Sequence, residues 1–114
     1  MAAGQVPPEA AEEAARLAVG ILGGTGDQGR GLARRLAIAG NRVIIGSRDA
    51  GRAAAAAASV GSPPRVTGAV NEDAARAADL VIAAVPWDGH TDLLAQVAGA
   101  LEGKIVVDLS LIHI

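Results

Sequence analysis

The feature that most restricts this chain is Gly24-Thr25-Gly26-Asp27-Gln28-Gly29, a G-x-G-x-x-G set between an apolar run and an amphipathic stretch. The run, residues 17–22, ends in Gly23-Gly24 and predicts a buried parallel strand meeting a turn. Residues 28–39 then place Leu32 and Leu36 four apart with Ala33 and Ala37 beside them, and Arg30, Arg34 and Arg35 largely on the opposite side, which predicts a helix. In such a unit one glycine permits the tight turn, the next lets backbone approach a pyrophosphate, and Gly29 lets helix pack closely on strand. Free N–H groups at the helix start then face the anion. This context favours dinucleotide binding over a plain glycine-rich connection. Gly23, Gly26 and Gly29 also satisfy the G-x-x-G-x-x-G spacing of short-chain-dehydrogenase-like folds, so the loop alone leaves the family open.

The pattern repeats along the chain. Gly40 suits the left-handed position after a helix, and 42–46 is a β-branched run fit for a second buried strand. Asp49 is placed to cap a helix through Ala58, with Gly61 and Pro63-Pro64 breaking it. A weak strand at 65–70, a short helix at 72–78 and a strong strand at 79–85 follow. A helix over 91–101, stopped by Gly103, precedes a fifth strand at 104–108, with Asp88 or Thr91 as its cap. The fold expected is α/β: a Rossmann-type parallel sheet of five strands in the order 3-2-1-4-5 with helices on both faces. Residues 1–16 are expected to be a flexible leader with a fraying helix after Pro8, and 17–108 the Rossmann domain.

Composition removes several function classes. A chain of 114 residues holds one core but is short for a complete two-domain dehydrogenase. Ten basic and twelve acidic residues, with no basic cluster, argue against nucleic acid. The absence of Cys excludes disulfides and a thiolate metal site, and the two histidines lie too far apart for a local ligand pair. No apolar stretch nears the roughly 20 residues needed to cross a bilayer, and the acidic start does not resemble a signal peptide. A cytoplasmic protein without metal is the expectation.

The second strand decides the cofactor. Sites for NAD usually carry an acidic residue about 20 positions after the loop, to bind ribose hydroxyls. Ser47-Arg48 stands there instead, and a hydroxyl with a guanidinium suits a 2′-phosphate. Arg52 offers a second positive charge, ranked below Arg48. NADP(H) is therefore the expected cofactor.

Taken with Ile45-Gly46-Ser47-Arg48-Asp49, Ala84-Val85-Pro86-Trp87-Asp88-Gly89-His90 and the block from Gly103 to Asp108, the loop resembles the NADPH-dependent coenzyme F420 reductases over residues 17–108. The resemblance implies that Thr25, Gly26, Asp27 and Gln28 bind pyrophosphate, that Ser47, Arg48 and Arg52 hold the 2′-phosphate, and that Val85, Pro86 and Trp87 border the nicotinamide. It implies hydride transfer between NADP(H) and the deazaflavin coenzyme F420, with small molecules as partners and a homodimeric full-length protein. Direct hydride transfer needs alignment and exclusion of water, not a side-chain nucleophile. No catalytic residue is assigned, in keeping with a chain that offers no nucleophile-base-acid set. Trp87 has two readings, anchor of its loop in the core or neighbour of the nicotinamide ribose. His90 is read first as a solvent-facing loop residue and second as a cofactor contact.

Family members continue beyond the fifth strand into a part that forms most of the deazaflavin pocket and the dimer contact. Leu109-Ser110-Leu111-Ile112-His113-Ile114 matches the translation of a sequencing-library adapter, so 109–114 is expected to be a non-native tail on a truncated reading frame. Two rival functions share these motifs. One is another NADP-linked reductase, short-chain-like or acting on an imine or hydroxy acid. The other is a non-catalytic NADP(H)-sensing module.

Overall fold

An apolar run flanked by Gly-rich turns has one economical fate, a strand buried on both faces. Residues 18 to 22 take it. The structure, a computed structural model, describes residues 8–61, 65–84 and 87–108. In chain order these form α1 (Pro8–Arg16), β1 (Ala18–Leu22), α2 (Asp27–Ile38), β2 (Arg42–Ser47), α3 (Ala50–Val60), β3 (Val66–Val70), α4 (Asn71–Ala77), β4 (Leu80–Ala83), α5 (Trp87–Leu101) and β5 (Ile105–Asp108).

The strands pair in parallel in the order β3-β2-β1-β4-β5, as the alternation predicted. Every residue of β1 is buried, and its neighbours are set by Val19 opposite both Val43 and Leu80. The helices divide between two apolar clusters. One gathers Ala33 and Ala37 of α2 with Ala56, Ala57 and Val60 of α3 over Val19, Ile21, Val43 and Ile45. The other gathers Ala74, Ala75, Leu93 and Val97 of α4 and α5 over Leu22, Ile44 and Val81. Chain direction across the sheet reverses between β3 and β4, so β1 and β4 flank the switch point, and sheets of this kind bind ligands beyond the C-terminal ends of the strands there.

Small residues let these layers close without aromatic side chains. A Cβ at Gly68 of β3 would stand 2.4 Å from the Ala53 carbonyl carbon, so α3 lies on β3 at backbone distance. The helix ends follow their signals. Asp49 accepts from the N–H groups of Gly51 and Arg52 at the head of α3. After α2, Gly40 takes φ +107° and donates to Ala37 O, while Asn41 donates to Leu36 O, a Schellman pair that needs a left-handed residue.

Two boundaries differ in ways that bear on function. Helix α5 starts at Trp87 and not at 91, so Asp88 and His90 lie within its first turns, and neither Asp88 nor Thr91 holds the cap position. Trp87 has His90 and Thr91 three and four positions on, so no apolar periodicity in the sequence marks the leading turn. Helix α4 starts at Asn71, directly after β3. At the sheet edge the side chains of Ile105, Val106 and Val107 are exposed. The tail at 109–114 lies outside the described residues, as do the start of the leader at 1–7 and the Pro63-Pro64 break.

Candidate functional site

The glycine-rich loop after β1 is held from two sides. Gly23, at φ +67°, donates its N–H to Asn71 Oδ1 at 3.1 Å, and Gly24 donates to Gly46 O of β2 at 3.0 Å. A Cβ on Gly29 would fall 2.6 Å from Gly24 Cα, so α2 can sit this near β1 only with glycine there. Gly26 differs: extended at φ −77° and ψ 173°, it has nothing within 4 Å of where a Cβ would be. The open side of the loop is the side the backbone offers to a ligand.

No side chain caps α2, and its first backward hydrogen bond is Arg30 N–H to Gly26 O at 3.0 Å. The amides of Asp27, Gln28 and Gly29 are therefore without helical acceptors, at the positive end of the helix dipole. This is the donor set that a pyrophosphate fits. The Asp27 side chain is 98% exposed and stands clear of these amides as the ion-pair partner of Arg30.

Twenty residues on, Ser47 closes β2 at 7% exposure. Its Oγ accepts from Asp49 N–H at 3.3 Å, which leaves the hydroxyl proton to donate elsewhere. The Asp49 carboxylate is occupied in capping α3, at 2.7 Å from Gly51 N and 3.2 Å from Arg52 N, as predicted. The turn thus presents exposed Arg48 beside a hydroxyl, with its carboxylate engaged by backbone.

Between α2 and α3 runs a groove of about 430 Å³ lined by Thr25, Arg30, Arg52, Ala55, Ala56 and Ser59. It brings together Thr25 and Arg52, assigned from the sequence to pyrophosphate and 2′-phosphate. Ser47 and Arg48 stand at the end of β2 and do not line this groove. By sequence Arg30 groups with Arg34 and Arg35 largely opposite the apolar side, but only Arg34 and Arg35 are exposed; Arg30, three and seven residues before the buried Ala33 and Ala37, is half-buried at the groove. Long helical side chains lean toward the helix N-terminus, and Arg30 reaches back to pair with Asp27 three residues earlier.

Asn71 escaped the sequence reading altogether. It is 8% exposed, 48 residues from Gly23, and a Cβ on Gly46 would come within 2.7 Å of its Oδ1. The available signal was a polar residue between a strand and an alanine-rich helix. Of the residues assigned to the nicotinamide side, Val85 and Pro86 lie outside the described residues, and Trp87 is the first residue of α5, after the C-terminal end of β4. Among the described residues no group of three or more His, Cys, Asp or Glu is placed to hold a metal, and no helix is long and apolar enough to cross a membrane.

Comparison with known proteins identifies a family for the chain. Residues 18–111 match the family described as NADP oxidoreductase, coenzyme F420-dependent. The F420-dependent NADP reductase of Methanothermobacter marburgensis is 46% identical over 95 residues, covering 79% of this chain and 42% of that protein. The Methanocaldococcus jannaschii F420-dependent NADP reductase is 42% identical over 98 residues, covering 80% of this chain and 44% of that protein. A crystal structure of a candidate F420-dependent NADP reductase from Arthrobacter sp. FB24 superposes with a TM-score of 0.71 at 34% identity, covering 81% of this chain and 44% of that one. The chain spans less than half the length of these relatives.

Proposed function

This chain belongs to the coenzyme F420-dependent NADP oxidoreductase family, and from that premise we propose that residues 17–108 are the NADP(H)-holding domain of an enzyme passing a hydride between NADP(H) and coenzyme F420. The observation that carries the reading is the uncapped head of α2, opening beside a Ser-Arg pair whose neighbouring carboxylate is engaged elsewhere.

Thr25, Gly26, Asp27, Gln28 and Gly29 hold the pyrophosphate through backbone N–H groups, and Gly24, whose own N–H goes to Gly46 O, belongs to the site by shaping the turn beneath them. Ser47 donates its hydroxyl to the 2′-phosphate, and Arg48 and Arg52 supply charge-assisted hydrogen bonds. Val85, Pro86 and Trp87 border the nicotinamide at the end of β4. When bound, NADP(H) supplies or accepts the hydride. The chain's own part is to align the ring and keep water out, so no side-chain acid, base or nucleophile is assigned. The deazaflavin pocket and a homodimer contact belong to the remainder of the full-length protein. The setting proposed is cytoplasmic, with small molecules as partners and no nucleic acid.

The test is calorimetric titration of the chain and an Arg48→Ala variant with NADPH and NADH. NADPH should bind better than NADH, and the substitution should cost about 1.5 to 3 kcal/mol of NADPH binding while leaving NADH nearly unchanged. A folded chain that binds neither dinucleotide would reduce the loop to a structural turn. Deazaflavin reduction by a full-length relative carrying the same substitution then tests the reaction.

A further inference from the structure

Two guanidiniums face the groove between α2 and α3, and the mechanism above uses only one. Arg52 comes from the head of α3, whereas Arg30 comes from the end of the first turn of α2 and lines the same walls with Thr25. The bonding of Arg30 is unfinished. An Nη2 hydrogen bond pairs it with Asp27 Oδ1, but its Nε is buried and has no acceptor. A buried N–H without a partner is a standing cost that an incoming acceptor removes. The partner it has is weak, because the Asp27 carboxylate is 98% exposed, and a solvated pair of this kind contributes little.

The remaining groups in the groove point to the kind of acceptor. Ser59 spends its hydroxyl proton on Ala56 O at 2.7 Å, so the donors facing the space are the two guanidiniums and the Thr25 hydroxyl. The rest of the lining is Ala55 and Ala56, without a carboxylate. A phosphate monoester carries between one and two negative charges near neutral pH and takes several donors at once. A guanidinium presents Nε–H and Nη–H as a parallel fork suited to two oxygens of one such group.

We infer that Arg30 is a specificity-determining residue for the 2′-phosphate, resting in the free protein on Asp27 and exchanging that carboxylate for phosphate oxygens when NADP(H) binds. The inference rests on the dinucleotide reading proposed above and extends it. Asp27 becomes the residue that holds Arg30 in place, and its charge opposes the incoming phosphate.

Calorimetric titration of the chain with NADPH, NADH and adenosine 2′,5′-bisphosphate tests this. Arg30→Met keeps the aliphatic stem and removes the fork; it should weaken NADPH and the bisphosphate about tenfold or more while leaving NADH nearly unchanged. Asp27→Asn should act in the opposite direction, tightening NADPH more than NADH. Arg30→Gln serves as the second variant should Arg30→Met not fold, with folding read from circular dichroism. Equal loss of NADPH and NADH in both Arg30 variants would move Arg30 to the pyrophosphate and overturn the inference. So would unchanged NADPH preference. Those outcomes leave the proposed function standing if the unsubstituted chain still prefers NADPH; a chain that binds no dinucleotide removes both.

Discussion

Three glycines within six residues, each changed to alanine, separate what the loop does for the fold from what it does for a ligand. At Gly29 the new methyl would meet Gly24 Cα at 2.6 Å, O at 2.7 Å and C at 2.8 Å. All three are backbone atoms, so no rotamer relieves the contact and α2 must move off β1. Overpacking of this kind costs about 1 to 3 kcal/mol, reduced by the ~0.5–1 kcal/mol that alanine gains over glycine within a helix. A net loss near 1–2 kcal/mol lowers the melting temperature by roughly 5–10 °C in a domain of this size. Dinucleotide affinity falls too, because the displaced helix carries the amides of Asp27 to Gly29. At Gly31, two residues on, nothing lies within 4 Å, and alanine should stabilise by about 0.5–1 kcal/mol without touching binding. At Gly26 the methyl would also meet no protein atom. Its backbone angles suit alanine, so stability should fall by less than about 1 kcal/mol, the difference between two cap residues. NADPH and NADH should each bind about tenfold or more weaker, since the methyl occupies the side from which pyrophosphate approaches. Urea unfolding gives the stabilities and calorimetry the affinities. Wild-type affinity in Gly26→Ala would refute the placement of the anion, and wild-type stability in Gly29→Ala would refute the packing.

Two further outcomes follow from long-range contacts. Asn71→Ala removes the acceptor for Gly23 N–H and should destabilise by about 1–3 kcal/mol, weakening NADPH and NADH alike because it acts through the loop and not the 2′-phosphate; unchanged affinities would mean the loop holds its shape unaided. Lys104 Nζ donates to Ala75 O and Arg76 O at 2.7 Å each and to Ala78 O, closing the end of α4, so Lys104→Met should lower stability by about 1–3 kcal/mol in a urea titration and leave NADPH binding nearly intact.

The elements most legible in the sequence are those whose signals are local. Asp49 caps α3 because a carboxylate reaches N–H groups two and three residues ahead, and Gly40 ends α2 because the left-handed position is a property of that one residue. β1 and β4 could be read as buried strands because consecutive apolar residues without charge have few other places to go. The beginning of α5 was not legible in the same way. Its leading turn, Trp87-Asp88-Gly89-His90, carries no apolar pair three or four apart, so a rule built on apolar periodicity has nothing to register there.

The site divides along the same line. The proposed dinucleotide loop at 24–29, and the Ser47-Arg48 pair standing where an acidic residue would select NAD, rest on residue type and spacing, because backbone amides at a helix head and a hydroxyl-guanidinium pair carry their chemistry wherever the strands pair in parallel. Two features depended on the folded chain. Asn71 reaches Gly23 because β3 pairs beside β2 and α4 then crosses behind both, a juxtaposition across 48 residues that no local pattern encodes. Arg30 enters the groove with Arg52 because α2 and α3 pack side by side on one face of the sheet and its long stem bends back toward Asp27. Periodicity assigns a side chain to a face of its own helix, but a flexible side chain's destination is set by the neighbour that supplies the opposite wall.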